Sequence, residues 1–180
     1  MIKKESACIV LIDVQEKLFP HIYEKDDLLK NLIILTRAAL ILELPLIVTE
    51  QVPEKLGDTL TSLKEIFPNN TPIISKTSFS CVGEKSFMRM FETLKKRQVI
   101  LAGIESHVCI YQTARDLSAL GYDVYVPFDA ISSRSRSVKN VAQATMRSMG
   151  INITTIEMAL FEILQEALGD KFKSIIQLVK

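Results

Sequence analysis

Residues 98–112 read QVILAGIESHVCIYQ. Val99, Ile100, Leu101 and Ala102 form an apolar run behind the charged Lys95, Lys96 and Arg97. Such a run predicts a short strand buried on both faces of a parallel sheet. Gly103 lets the backbone turn sharply. Ile110, Thr113, Ala114, Leu117 and Leu120 then recur at helical spacing and cover one face. Cys109 therefore falls in the first turn of a helix that follows the carboxyl end of a strand. Unpaired backbone N–H groups and the positive end of the helix dipole favour thiolate over thiol there. A thiolate is the nucleophile of covalent catalysis. The alternative is a small buried apolar residue, the role of most free cysteines, and position alone does not separate the two.

Working outward, strand and helix patterns alternate along the chain. Residues 7–12 (ACIVLI) read as a central strand that Asp13 ends, followed by Gln15 and Phe19 in a loop broken by Pro20. A carboxylate at the carboxyl edge of a central strand stands where open α/β sheets place their ligands; the other reading is a helix cap or turn residue. Asp26 and Asp27 open a helix of Leu28, Leu32, Leu35, Ala39 and Leu42 that Pro45 stops, and residues 46–48 form a second strand. The polar loop 49–58 (TEQVPEKLGD) precedes a short helix from Thr59 to about Phe67. Residues 72–74 give a third strand whose carboxyl edge carries Lys76, on the same rim as Asp13 and Cys109; a lysine there, taken alone, reads as solvated. A loop with Phe79 and Cys81 and a helix with Phe87, Phe91 and Leu94 lead into the central stretch. Beyond it come a fifth strand at 124–126, a loop with Asp129 and SSRSRS (132–137), and a helix that Gly150 ends. A sixth strand at 151–154 and helices at 158–167 and 171–179 follow. No linker or internal repeat marks a boundary, so residues 1–180 are expected to form one domain. The expected fold is a three-layer α/β/α sandwich around a six-stranded, Rossmann-like parallel sheet with right-handed crossovers.

Composition narrows the function. Of 180 residues 48% are hydrophobic and 24% charged, which is globular rather than disordered. Lys and Arg number 22 against 21 Asp and Glu, a formal net charge of +1. No basic stripe supports a nucleic-acid or anionic-membrane partner. The apolar content points to a homo-oligomer. Three cysteines (Cys8, Cys81, Cys109) give no C-x-x-C spacing, and two histidines argue against structural zinc. The basic start and short apolar run read as a first strand rather than a signal peptide, and no run approaches the ~20 apolar residues of a membrane span. The expected location is the cytoplasm.

Asp13, Lys76 and Cys109 thus share one rim. With D-x-Q-x-x-x-F (Asp13, Gln15, Phe19), the Lys76 after strand three, G-I-E-S-H-V-C-I (residues 103–110) and D-A-I-S-S-R (residues 129–134), the whole chain resembles the isochorismatase-like cysteine hydrolase superfamily. The resemblance implies Cys109 as nucleophile, Asp13 as the base for its proton, and Lys76 as the cation that orients and stabilises the charges. It also implies a non-proline cis peptide between Ile104 and Glu105, with the N–H groups of Glu105 and Cys109 aimed at an oxyanion. Nicotinamidases of this superfamily carry a D-x-H metal site after strand two. Here Thr49, Glu50 and Gln51 stand in its place, and neither His21 nor His107 lies in that region, so no metal and no other cofactor is expected. The TEQVPEKLG and I-E-S-H-V-C segments look most like the metal-free isochorismatase domain-containing subgroup. Candidates for the wall of a small-molecule pocket are Phe19, Gln51, Phe79 and His107; His107 has a second reading as a helix cap or packing residue. Cys81 is a candidate redox partner of Cys109.

Two functions remain in view. The first is hydrolysis of a small amide-like or ureido C–N bond through an acyl-thioester; cleavage of a vinyl ether fits a nucleophilic cysteine less well. The second is a non-catalytic or redox-responsive binding module on the same fold, using Cys109 for oxidation or contact.

Overall fold

The computed structural model describes residues 1–180. Seven strands, β1 (Ala7–Ile12), β2 (Leu46–Gln51), β3 (Ile73–Lys76), β4 (Gln98–Ile104), β5 (Asp123–Pro127), β6 (Ile131–Ser132) and β7 (Asn152–Thr154), form one sheet. Its order is β3-β2-β1-β4-β5-β7, with β6 pairing β4 beside that path, and every ladder is parallel. The sheet has one strand more than the pattern predicts. The addition is the two-residue β6, too short to carry any periodicity, which matches Gly103 to Ile131 and Ile104 to Ser132.

Alternation along the central strands divides the core in two. Ile9 and Leu11 of β1, Leu46 and Val48 of β2, and Ile100, Ala102 and Ile104 of β4 point to one face. There they meet α1 (Lys25–Leu42), α7 (Ile156–Leu164) and α8 (Gly169–Val179). Cys8, Val10, Ile12, Ile47, Val99 and Leu101 point the other way, against α4 (Lys85–Thr93), α5 (Tyr111–Ala119) and α6 (Arg136–Ser148). Burial on both faces is why these strands read as continuous apolar runs. Two short helices, α2 (Pro53–Leu56) and α3 (Thr61–Lys64), occupy the connection from β2 to β3, where the sequence predicts a loop and a single longer helix. Leu120, expected on the buried stripe of α5, lies past its end and is exposed.

Helix ends follow local chemistry. Asp26 and Asp27 sit in the first turn of α1, at the positive end of its dipole. Ser135 and Thr155 accept hydrogen bonds from the amides of Val138 and Met158 and so cap α6 and α7. Because β1 lies between β2 and β4, strand order reverses between β1 and β4. Open α/β sheets bind ligands outside the carboxyl ends of strands at such a switch point. Asp13 leaves β1 there and the Cys109 turn leaves β4.

Candidate active site

The carboxyl ends of β1 and β4 approach more closely than side chains allow. Gly103 has φ +118°, and a Cβ built on it would lie 2.1 Å from the carbonyl oxygen of Ile12. Only glycine fits, and its register partner is Ile12 itself. Asp13 follows with φ 55°, a left-handed conformation unusual outside glycine, asparagine and aspartate. Its amide donates to the carbonyl of Thr49 at 3.0 Å, which ties the bend to the end of β2.

Lys76 ends β3, two strands from β1 and so roughly 10 Å away across the sheet. Its long stem crosses the end of β2, and Nζ meets Asp13 Oδ2 at 2.7 Å, both side chains being fully enclosed. Nζ also donates to Gln51 Oε1 at 2.6 Å, and the carbonyls of Ser78 and Phe79 stand at 3.2 Å. Thr49 Oγ1 donates to the other carboxylate oxygen, Asp13 Oδ1, at 2.8 Å. Burial works against the charged ammonium, but the Asp13 carboxylate, through its charge and its hydrogen bond, outweighs it, and the pKa of Lys76 is raised. A buried charge persists only when paired and hydrogen-bonded, as this one is. No buried side-chain nitrogen or oxygen in the chain lacks a partner.

Cys109 lies on the π-helical turn Ser106–Ile110 that leads into α5. The amide of Ile110 reaches back five residues to the carbonyl of Glu105 at 3.2 Å. The Ile104–Glu105 peptide bond is cis. Cys109 is 7% exposed and belongs to the apolar cluster beneath α5 and α6. Burial pushes its thiol up, and the neighbouring Asp13 carboxylate pushes the same way; Lys76 pulls it down without prevailing. A helix end was expected to favour the thiolate. Desolvation and a neighbouring negative charge win instead, and they favour the thiol over the thiolate at rest. Cys81 is buried nearby, pushed up to about 11 first by burial and then by Asp13, and its amide donates to Thr113 Oγ1.

The fold therefore brings Asp13, Lys76 and Cys109 into one group. The four wall candidates disperse. Phe19 packs into the core on the α1 face. Gln51 is buried, its Oε1 accepting from Lys76 and its Nε2 donating to the carbonyl of Thr77 at 2.7 Å, so it steadies the lysine. Phe79 is exposed and contributes its carbonyl to Lys76. His107 lines a cavity of about 330 Å³ with Tyr111, Val138, Val141 and Ala142. A second cavity of about 360 Å³ on the rim is lined by Leu18, His21, Ile22, Glu105 and Arg134. Glu50 accepts from the amide and hydroxyl of Thr59 at 2.6 and 2.8 Å, and no three His, Cys, Asp or Glu side chains converge as a metal set would.

Sequence reasoning missed Thr49 and the clamp made by Gln15. The side chain of Gln15 donates to the carbonyls of Gln51 and Gly57 and accepts from the Gln51 amide at 2.7 Å. Thr49 carried a signal, since a polar residue closing an apolar strand beside Asp13 has somewhere to point. Its partner emerges only from the register that matches Ile12 to Thr49.

Comparison with known proteins places the fold in a family. The isochorismatase domain model matches residues 7–158. Isochorismatase domain-containing protein 2 of Danio rerio is 35% identical over 177 residues, covering 97% of this chain and 87% of its own. A solved structure described as MAR1 ribonuclease from Caenorhabditis elegans superposes with TM-score 0.93 at 36% identity, covering 99% of this chain and 91% of that one. The YcaC gene product of Escherichia coli, described as an octameric hydrolase of unknown specificity, shares the fold at TM-score 0.93 and 23% identity, covering 98% and 89%. A family model spanning most of the chain, and relatives above 30% identity along nearly all of it, leave one assignment: the chain belongs to the isochorismatase-like superfamily of hydrolase folds.

Proposed function

We propose that this protein is a cysteine hydrolase of a small amide-like or ureido C–N bond, with Cys109, Asp13 and Lys76 as its catalytic triad. The observation that carries the reading is the enclosed Asp13–Lys76 pair, 2.7 Å apart, alongside the Cys109 thiol. Asp13 takes the thiol proton as Sγ attacks the carbonyl carbon, so proton transfer and attack proceed together and no free thiolate accumulates. The oxyanion of the tetrahedral intermediate is held by the amides of Glu105 and Cys109. Collapse breaks the C–N bond, and Asp13 returns its proton to the leaving nitrogen. A water molecule then gives a proton to Asp13 and attacks the acyl-thioester. Breakdown of that second intermediate releases the carboxylic acid and reprotonates Cys109. Lys76 stays charged throughout, keeping Asp13 ionised between steps and offsetting the negative charge that moves among sulfur, oxygen and carboxylate.

Phosphodiester cleavage, which the name of the nematode relative suggests, gains less support. The net charge is +1, and the cation at this site is enclosed and already paired with Asp13. Residues 1–180 act on this reading as a single hydrolase domain of a cytoplasmic homo-oligomer, the octameric fold relative favouring assembly. No helix is long and apolar enough to cross a membrane.

The test is Cys109→Ala assayed for ammonia release on a panel of small amides and ureides. Turnover by the unsubstituted protein and none by the variant, with an unchanged circular-dichroism spectrum, is the expected result. Undiminished hydrolysis by the variant refutes the mechanism.

A further inference from the structure

His107 stands two residues before Cys109 on the same π turn, and its two ring nitrogens have different partners. Nε2 faces an Nη2 group of Arg134 at 3.5 Å, and Nδ1 faces Ser133 Oγ at 3.0 Å. A guanidinium nitrogen can only donate. Nε2 therefore accepts, and the ring proton of the neutral imidazole is left on Nδ1. The Nδ1–H donates to Ser133, whose hydroxyl is in hydrogen-bond contact with Ser106 Oγ. At the other end, Arg134 Nε donates to Glu105 Oε1 at 2.9 Å. The chain Glu105–Arg134–His107–Ser133–Ser106 thus begins and ends on adjacent residues at the start of the turn that carries Cys109.

Ser106 and Ser133 are fully buried, so water cannot substitute for the contacts between them. The loop that supplies Ser133 is itself anchored. Its carbonyl accepts from the amide of Tyr23 at 2.8 Å, and the Ser132 hydroxyl donates to the Tyr23 carbonyl at 2.7 Å. A π turn holds one residue more than an α turn and survives only where the surroundings favour it. Relaxation to α geometry would rotate Cys109 by about 100° around the helix axis, one residue's step in a helix of 3.6 residues per turn. That rotation takes Sγ away from Asp13.

We infer that His107 is a positioning residue: its Nδ1–H, directed by Arg134 onto Ser133, holds the π turn and with it Cys109 against Asp13. The inference rests on the reading of Cys109 as the nucleophile and assigns His107 a role other than contact with substrate.

The experiment follows alkylation of Cys109 by iodoacetamide at pH 8, read by mass spectrometry of the peptide that carries it, with Cys109→Ala as the blank. His107→Ala speeds alkylation about tenfold or more, because a thiol displaced from Asp13 loses the neighbouring negative charge that holds it protonated. In His107→Asn the side-chain amide nitrogen falls where Nδ1 stood, and the rate returns to within about threefold of the unsubstituted protein. In His107→Gln the amide falls nearer Nε2, and the rate stays as high as in the Ala variant. Rescue by Gln instead of Asn, rescue by neither, or an Ala variant within about twofold of the unsubstituted rate overturns the assignment.

A second measurement needs no folded His107 variant. The chain has two histidines, so a ¹⁵N-histidine spectrum resolves two rings. His107 is expected as the Nδ1–H tautomer, shifting toward Nε2–H in Arg134→Ala, whose side chain is largely exposed. An Nε2–H tautomer in the unsubstituted protein refutes the inference. If Cys109→Ala retains turnover, the hydrolase reading falls on its own, while the alkylation and tautomer results still decide the role of His107.

Discussion

Replacing Lys76 with Met tests the electrostatic core of the site. Met keeps much of the unbranched stem and removes the cation. Asp13 would then be a fully enclosed carboxylate with the Thr49 hydroxyl at 2.8 Å as its one side-chain hydrogen-bond donor. Removing one partner of a buried pair costs about 3–5 kcal/mol, because the remaining charge stays dehydrated and unpaired. Gln51 and the carbonyls of Ser78 and Phe79 also lose a donor, but neutral acceptors add at most about 1 kcal/mol each. The orphaned carboxylate dominates, and it has one escape, which is to take up a proton. The penalty is therefore largest near neutral pH and shrinks as the pH falls toward the carboxylate range. Urea denaturation at pH 7 and pH 5 reads both values. The double variant Asp13→Asn/Lys76→Met removes the charge from both sides and should recover most of the loss, a coupling that a double-mutant cycle isolates. A single variant within about 1 kcal/mol of the unsubstituted protein at pH 7 refutes the reasoning, as does a double variant no more stable than the single one.

Two further outcomes follow from the same coordinates. Gly103→Ala would place a Cβ 2.1 Å from the Ile12 carbonyl oxygen at positive φ, so it should cost more than about 4 kcal/mol and leave little soluble protein; a thermal midpoint unchanged in this variant would contradict the close approach of β1 and β4. The buried thiols should make the fold sensitive to alkali. Burial holds Cys8 at about 12 and Cys81 at about 11 against an ordinary 9.0, so their stabilising contribution is complete below pH 9 and lost as pH rises toward the folded values. By pH 10 each costs about 1.4 kcal/mol, together about 3 kcal/mol, with Cys109 acting in the same direction. Denaturation at pH 8 and pH 10 measures the drop, and Cys8→Ala should shrink it by about 1.4 kcal/mol; an equal drop in that variant would show that Cys8 is not the source.

How legible the site was depends on the range of each interaction. Asp13, Lys76 and Cys109 each end or follow an apolar run, and parallel connectivity sends the carboxyl ends of such runs to one rim. Their grouping was thus readable although 63 residues separate Asp13 from Lys76. The contacts that tune them were not. Thr49 reaches Asp13 because Ile12 is in register with Thr49, and Gln51 steadies Lys76 because those two residues are register partners. Hydrophobic alternation says that strands pair but, where both faces are buried, constrains poorly which residues stand side by side. The expectation of a helix-stabilised thiolate failed for a related reason. A residue's place in a helix turn is local, whereas its desolvation and its distance from Asp13 are set by the packing of α5 and α6 over the sheet.

The amino-acid sequence by itself determined the alternating α/β order, the doubly buried central strands, and the rim on which the acid, the amine and the thiol would gather. These follow from short-range rules of periodicity, turn chemistry and parallel connection. Only the tertiary structure decided the strand registers, the two-residue β6, the π turn beneath Cys109, and the chain of contacts through His107 and the buried serines. Each of these depends on which distant backbone lies within about 3 Å of a given side chain, and that distance is set by the packing of the whole sheet and its two helical layers.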